Sequence, residues 1–507
     1  MVINERKAGA TLTYINLALG FLVSLIYTPI LLRLLGQSEY GLYNLVSSVV
    51  SYLGVLNFGF GSAYVRYFSR YRVNEEKDEI ATLNGMFLIV FSLLGLIAVI
   101  AGFILAQYTN VIFGEELTAV ESIKAKHLMY ILVINLGFSF PSIVFTSYIT
   151  ANERFTFHKI IQLIKTATSP FITLPALLLG FESVGVAIST SILNLVIEII
   201  YAVYCFNKLE MRFSFKKMES GLMKEMSVFS FYIFINMVVD QINWNVDKFL
   251  IGRFQGTVGV AVYSVASTLN NYYSQISTAI SNVFIPRVHI MIAENDDDSV
   301  LTQLFTRIGR IQFAILALIM SGYIFFGKPF ILKWAGSGYQ DSYYVGLLLL
   351  LPVTIPLIQN IGIEIQRAKN MHQFRSILYI FMALGNLFLS IPLTRKYGPV
   401  GAAAGTAISL LLGNGLIMNL YNHFNVGLDM SYFWKQIIKF IPGLIAPAIS
   451  GILMVRFVNL NRISMLLIFG VLYVLIYVIS IWHFSLNPYE KDIILKPLNR
   501  IFRKSLK

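Results

Sequence analysis

Charge is scarce in this sequence, and cysteine is almost absent. Only 13% of the 507 residues are charged and 56% are hydrophobic, with a mean hydropathy of +0.69, whereas soluble domains average about 25% charged residues. No stretch is polar for long enough to form a soluble catalytic domain. Cys205 is the single cysteine, which excludes an intrachain disulfide and any paired-cysteine metal or redox motif. There is no H-E-x-x-H and no evident nucleophile beside a base. The six histidines are dispersed, with His158, His372 and His423 in expected connections. Gly322 to Pro329 reads G-x-x-x-x-G-K-P, but Pro329 stands where a phosphate-binding loop needs Ser or Thr, and an apolar span precedes it instead of a strand. Gly59-Phe60-Gly61 lacks the third glycine of a dinucleotide fold and suits close helix packing. The formal charge of +13 is scattered between apolar runs, a pattern of topology determinants and lipid-surface contacts, not of a nucleic-acid interface.

What remains is long apolar sequence. In hydrocarbon every backbone amide needs an internal partner, and runs of about 20 apolar residues select helices over barrel strands. The expectation is an all-α polytopic membrane protein of about fourteen spans, from Gly9–Leu35 to Ser464–Trp482, with a retained first helix. The connections read as cytoplasmic hold 28 of the 39 Lys and Arg residues, so both termini are expected in the cytoplasm. In the tail, Ile494, Leu498, Ile501, Phe502 and Leu506 share a helical face flanked by Lys496, Arg500, Arg503, Lys504 and Lys507. That predicts an amphipathic helix on the anionic inner leaflet.

A repeat organises the spans. At an offset of 220, Arg33, Gly36 and Tyr43 match Arg253, Gly256 and Tyr263; at 216, Val184–Ala187 match Val400–Ala403. The expected division is therefore residues 1–207 for spans 1 to 6, 208–421 for spans 7 to 12, and 422–507 for two further spans and the basic tail. Transporters with repeats bind substrate between them and alternate access by rocking. Gly401 to Gly405, with alanines between, reads as a close helix contact.

The seventh expected span carries Asn236, Asp240, Asn243 and Asp247 at i, i+4, i+7 and i+11, a polar stripe on an apolar helix. A charge at mid-membrane costs about 3 kcal/mol on insertion scales, so such residues face a partner or a wet cavity. Asp240 lies near the centre; Asp247 and Lys248 lie near the outer end, where reaching the interface is an alternative. Other cavity candidates are Arg33, Asn57, Arg66, Lys165, Glu198, Arg253, Glu364 and Arg367. The cations among them suit a diphosphate, because guanidinium and ammonium groups pair with phosphate oxygens; span ends equally favour cations as topology anchors.

The segments LLGQSEYGLYNL (Leu34–Leu45), FGFGSAYVRYFSR (Phe58–Arg70), VDKFLIGRFQGTVGVAVYSVAS (Val246–Ser267) and IQRAKNMHQFRS (Ile365–Ser376) resemble the Wzx-type oligosaccharide flippases of the multidrug/oligosaccharidyl-lipid/polysaccharide exporter superfamily. The resemblance implies a MATE-like pair of six-helix lobes with two appended helices. It implies movement of an undecaprenyl-diphosphate-linked repeat unit from the inner to the outer leaflet of a bacterial plasma membrane, in polysaccharide, capsule or O-antigen assembly. No resident cofactor is implied; the implied partners are that lipid-linked oligosaccharide, membrane lipids, sodium or protons, and polysaccharide assembly proteins. Similar lipid II flippases hold a cation with an aspartate, an Asn-carboxylate pair and a threonine. Asn386, Ser390 and Thr406 match those spacings and, with Asp240 as the aspartate, make the candidate sodium site, although Ser390 stands where the carboxylate would be. The relatives also carry arginines inside the first helix, and none occurs here between Lys7 and Arg33, which argues against lipid II as substrate. A cation-coupled drug or metabolite antiporter of the same superfamily is the alternative, and a membrane glycosyltransferase or polymerase a second one, which the short outer connections disfavour.

Overall fold

A computed structural model describes residues 5–74, 76–215, 220–294, 297–460, 462–492 and 495. The expected amphipathic tail lies outside these residues, apart from Leu495. Among the described residues every element is helical, as backbone groups in lipid require. In chain order these are α1 (Glu5–Gly54), α2 (Phe60–Val73), α3 (Lys77–Gln107), α4 (Thr109–Phe113), α5 (Ala119–Ala151), α6 (Phe155–Leu178), α7 (Glu182–Lys208), α8 (Ser220–Ala293), α9 (Asp298–Trp334), α10 (Asp341–Ile358), α11 (Ile361–Ala368), α12 (Gln373–Leu410), α13 (Met418–Tyr421), α14 (Met430–Ile438), α15 (Ile441–Phe457) and α16 (Ile463–Phe484). Two π-helical stretches, Leu411–Ile417 and Asn422–Val426, flank α13.

Among the described residues ten helices are long and apolar enough to cross a membrane, or eleven when the bent pair Met430–Ile438 and Ile441–Phe457 forms one span. Three of them, at 63, 61 and 54 residues, far exceed the roughly 20 residues a bilayer needs. Each contains a glycine with non-helical backbone: Gly36 (φ 73°, ψ 175°), Gly256 (φ 69°, ψ −170°) and Gly398 (φ 59°, ψ −139°). Positive φ is nearly free for glycine and strained for other residues. The chain reverses at such points. Tyr263 donates to Asp247 at 2.5 Å across 16 positions of α8, which a straight helix would hold about 24 Å apart. Thr406 donates to Asn386 at 3.3 Å across 20 positions of α12. Taken as continuous helices the count is ten or eleven, not the expected fourteen, and these reversals are the source of the difference. Gly36 and Gly256, the pair matched at offset 220, share one backbone conformation.

Packing divides the chain into two units, Met1–Ser264 with Ser390–Ala402, and Val265–Leu389 with Ala403–Lys507. The first unit is built on contacts of α3 with α5, α1 with α6, and α5 with α7, around an aromatic core of Phe60, Tyr64, Phe87, Phe91 and Phe140. Tyr64 donates at 2.5 Å to Asn84, whose amide donates at 2.8 Å to the Arg212 carbonyl. These bonds satisfy polar groups that apolar surroundings would otherwise penalise. The second unit packs Tyr273, Phe305, Leu316, Val353, Leu357 and Phe433, with α9 against α10 and α16. Large apolar side chains point outward on many helices, among them Ile26, Phe171, Leu178, Phe388 and Leu467. Such surface is tolerable only against lipid.

Candidate functional site

The reversals at Gly36 and Gly256 bring carboxylates together in the first unit. Just after Gly36, Ser38 donates at 2.6 Å to Glu121, which also accepts from Thr257 at 2.7 Å, immediately after Gly256. The second oxygen of Glu121 accepts from the Thr118 amide and hydroxyl at 2.9 and 2.8 Å, in a capping box that starts α5. Glu39 accepts from Lys124 at 2.5 Å and from Ser183, and Lys124 also pairs with Glu182 at the start of α7. Gly41 is buried here, and a Cβ on it would be driven into the Thr257 carbonyl. The reversals of α1 and α8 and the starts of α5 and α7 are therefore stitched by charge-assisted bonds, about twice as strong as neutral ones.

The polar stripe on α8 runs from exposed to buried. Asp240 is exposed, Asn243 half-buried, and Asp247 only 1% exposed, held by Tyr263; the Asn236 side chain lies outside the described residues. Lys248 is half-buried. Asp247 is thus a link between the two arms of α8, not a group reaching the interface. Arg253 is likewise committed: its guanidinium donates to the Val111 carbonyl at 2.5 Å and packs on Gly114, fixing α4. Asn57 accepts from the Gly59 amide at 2.7 Å, shaping the left-handed step at Phe58 and Gly59 (φ 51° and 67°) between α1 and α2.

Three cations stand exposed on their helices: Arg33 on α1, Arg66 on α2 and Lys165 on α6. Lys165 interacts electrostatically with the half-buried Glu198 of α7 without a direct ion pair among the described residues. Arg367 is 61% exposed and pairs with Glu364 one turn back on α11 at 2.7 Å. Those on α1, α2, α6, α7 and α8 belong to the first unit, and Glu364 and Arg367 to the second.

Of the cation set, Asn386 and Thr406 are bonded to each other, and Ser390 donates to the Ala402 carbonyl at 3.4 Å; all three are at most 5% exposed. No group of three or more His, Cys, Asp or Glu side chains able to hold a metal occurs among the described residues. Sodium needs several hard oxygens, and here a single carboxylate would have to be joined by an amide and hydroxyls already bonded elsewhere. The G-x-x-x-x-G-K-P segment runs inside continuous α9, so it forms no loop that could cradle phosphate.

Two features leave no periodic pattern in the sequence. Arg310, which the sequence places beside an inner connection, is buried inside α9 and paired with Glu490 at 2.6 and 2.9 Å. Around α10, α11 and the π-helical stretches, Gln359, Gln366, Asn414, Asn419 and Asn422 form a cluster of amides, each at most 8% exposed.

Residues 7–291 match the polysaccharide biosynthesis protein family. The "Putative O-antigen transporter" of Shigella flexneri is 21% identical over 411 residues, covering 80% of this chain and 94% of the relative. Among solved structures, a lipid II flippase in an inward closed conformation superimposes with a TM-score of 0.72 at 18% identity, covering 97% of this chain and 99% of the other. An inward-facing multidrug resistance transporter of the MATE family gives 0.62 at 14% identity over 79% and 96%. The helical fold is thus shared with a solved flippase and a solved multidrug transporter. With more than half of its length matched, this multi-pass membrane chain belongs to the polysaccharide biosynthesis protein family.

Proposed function

We propose that the protein moves undecaprenyl-diphosphate-linked oligosaccharide repeat units from the inner to the outer leaflet of a bacterial plasma membrane, by alternating access and with both termini cytoplasmic. The observation that carries this reading is the family match over residues 7–291, joined to a fold shared along nearly the whole chain with a lipid II flippase. The exposed guanidinium groups of Arg66 and Arg367 gather the diphosphate at the inner leaflet by bidentate pairing with phosphate oxygens, and Lys165 adds charge on α6. Arg33 assists release outside, while Arg253 holds α4 in place. Asp240, an exposed carboxylate on a membrane helix, takes the coupling cation. With a single carboxylate present, a proton suits it better than sodium.

The reading predicts that cells lacking the gene accumulate undecaprenyl-diphosphate-linked saccharide and lose surface polysaccharide, and that the wild-type gene restores both. Unchanged surface polysaccharide and lipid-linked pools in such cells, beside increased sensitivity to a drug, would favour the antiporter instead.

A further inference from the structure

The buried amides of the second unit line a recess with a single cation on its wall. Its walls are Pro356 of α10, Gln359 from the break after it, Gln366 of α11, Arg375 and Tyr379 of α12, and Asn414 and Asn422 from the π-helical stretches, around a space of about 300 Å³ that includes its open mouth. Pro356 supplies no amide hydrogen, and α10 ends two residues later, before α11 resumes at Ile361. That break and the two π stretches aim the amides at one another. Gln366 donates at 2.6 Å to Asn422, Gln359 at 3.0 Å to Asn419, and Asn419 at 2.6 Å to the Asn414 carbonyl. Tyr379 donates at 3.1 Å to Asn414, and Arg375 lies over the Tyr379 ring and donates to its hydroxyl.

The set is incomplete at one atom. The carbonyl oxygen of Gln366, a residue 2% exposed, has no hydrogen-bond partner. Leaving such an atom unsatisfied costs about 1–3 kcal/mol, and π-helical segments are frequent at functional sites.

We infer that this recess binds a sugar ring of the transported glycan through its hydroxyls. A hydroxyl both donates and accepts, and so does a carboxamide, so neutral amides recognise sugars without charge. A diphosphate asks instead for several cations, and the recess has only Arg375, already turned onto Tyr379. Most of that space is open mouth, so the recess meets one ring edge at its rim, not a whole repeat unit. With both termini cytoplasmic, the recess lies toward the inner leaflet, where loading begins. This inference rests on the flippase reading and adds a saccharide contact to the diphosphate contacts.

The test uses purified full-length protein and two probes: undecaprenyl diphosphate, and the undecaprenyl-diphosphate-linked oligosaccharide extracted from the source cells. Gln366→Met keeps the volume and removes the amide; Tyr379→Phe removes one hydroxyl at the half-buried mouth and guards against misfolding of the first variant. Each should weaken binding of the saccharide-bearing lipid about five- to tenfold, roughly the worth of one net hydrogen bond. Binding of undecaprenyl diphosphate should not change, and binding is compared below each variant's melting temperature, because each substitution also removes a hydrogen bond within the cluster. A wild type that transports the saccharide lipid beside variants that bind it equally well overturns the recess alone, as does equal weakening toward both probes. A wild type that does not prefer the saccharide lipid to the bare one overturns the recess and removes support from the flippase reading as well.

Discussion

Replacing Glu490 by alanine should strongly destabilise the second unit. The Glu490 carboxylate receives two bonds from Arg310, at 2.6 and 2.9 Å, and both side chains are 4% exposed. The same guanidinium donates to the Gln436 and Ser485 carbonyls at 2.5 and 2.8 Å and lies over the Phe440 ring. It therefore ties α9 to the end of α14, the start of α15 and the segment after α16. Glu490→Ala leaves the arginine buried with its charge uncompensated, a loss of about 3–5 kcal/mol in comparable buried pairs. The retained carbonyl bonds place the expectation at the lower end of that range. Thermal unfolding in detergent, followed by tryptophan fluorescence, should show a midpoint lowered by several degrees. Replacing both partners by methionine should recover much of the loss, because a buried pair exchanged for apolar groups of similar volume is often neutral. A Glu490→Ala midpoint equal to the parent's, or a double variant less stable than Glu490→Ala, would refute the argument.

Gly41→Ala should destabilise the first unit by about 1–3 kcal/mol through overpacking, because its Cβ meets the Thr257 carbonyl, whereas Gly385→Ala, with nothing within 4 Å, should be neutral or slightly stabilising; detergent melting curves compare the two. Arg66→Ala should reduce export of surface polysaccharide at unchanged membrane abundance, and equal export at equal abundance removes Arg66 from the diphosphate site. Asp240→Asn should stay within about 0.5 kcal/mol of the parent's stability, as an exposed substitution, yet lose its response to an imposed proton or sodium gradient in liposomes; a parent-like response to both ends the coupling role. Cysteines placed at Ser337, which is exposed between α9 and α10, and at Ser505, in a chain with Cys205 replaced, should react with an impermeant reagent outside intact cells at position 337 only.

The helices are legible in the sequence because lipid leaves a backbone no other choice, and the reversals at Gly36 and Gly256 because the repeat marks both with the same residues. The reversal at Gly398 is legible too, since it lies just before the second matched segment, Val400–Ala403. Hydrophobicity alone does not reveal the amide recess. Asn414 and Asn419, five positions apart, diverge by about 140° on an α-helix, and only the π turns bring them together. Arg310 and Glu490 stand 180 positions apart, so in sequence the arginine looks like one more cation near a cytoplasmic connection. The α8 stripe is visible as a period but not as a gradient, since the bond that buries Asp247 depends on the reversal at Gly256. Glu121, which joins the two matched reversals, carries no sequence signal because its partners Ser38 and Thr257 lie 83 and 136 positions away.

The central claim is tested most directly by reconstituting the purified protein in liposomes containing undecaprenyl-diphosphate-linked oligosaccharide with a fluorescent label on the glycan, and adding a membrane-impermeant quencher. In protein-free vesicles the quencher should reach only the outer-leaflet fraction; with the protein, the inner-leaflet fraction should become quenchable as well, and faster when a cation gradient is imposed. An inner-leaflet fraction that stays protected at every protein density, in vesicles where the protein is folded and inserted, would contradict the account.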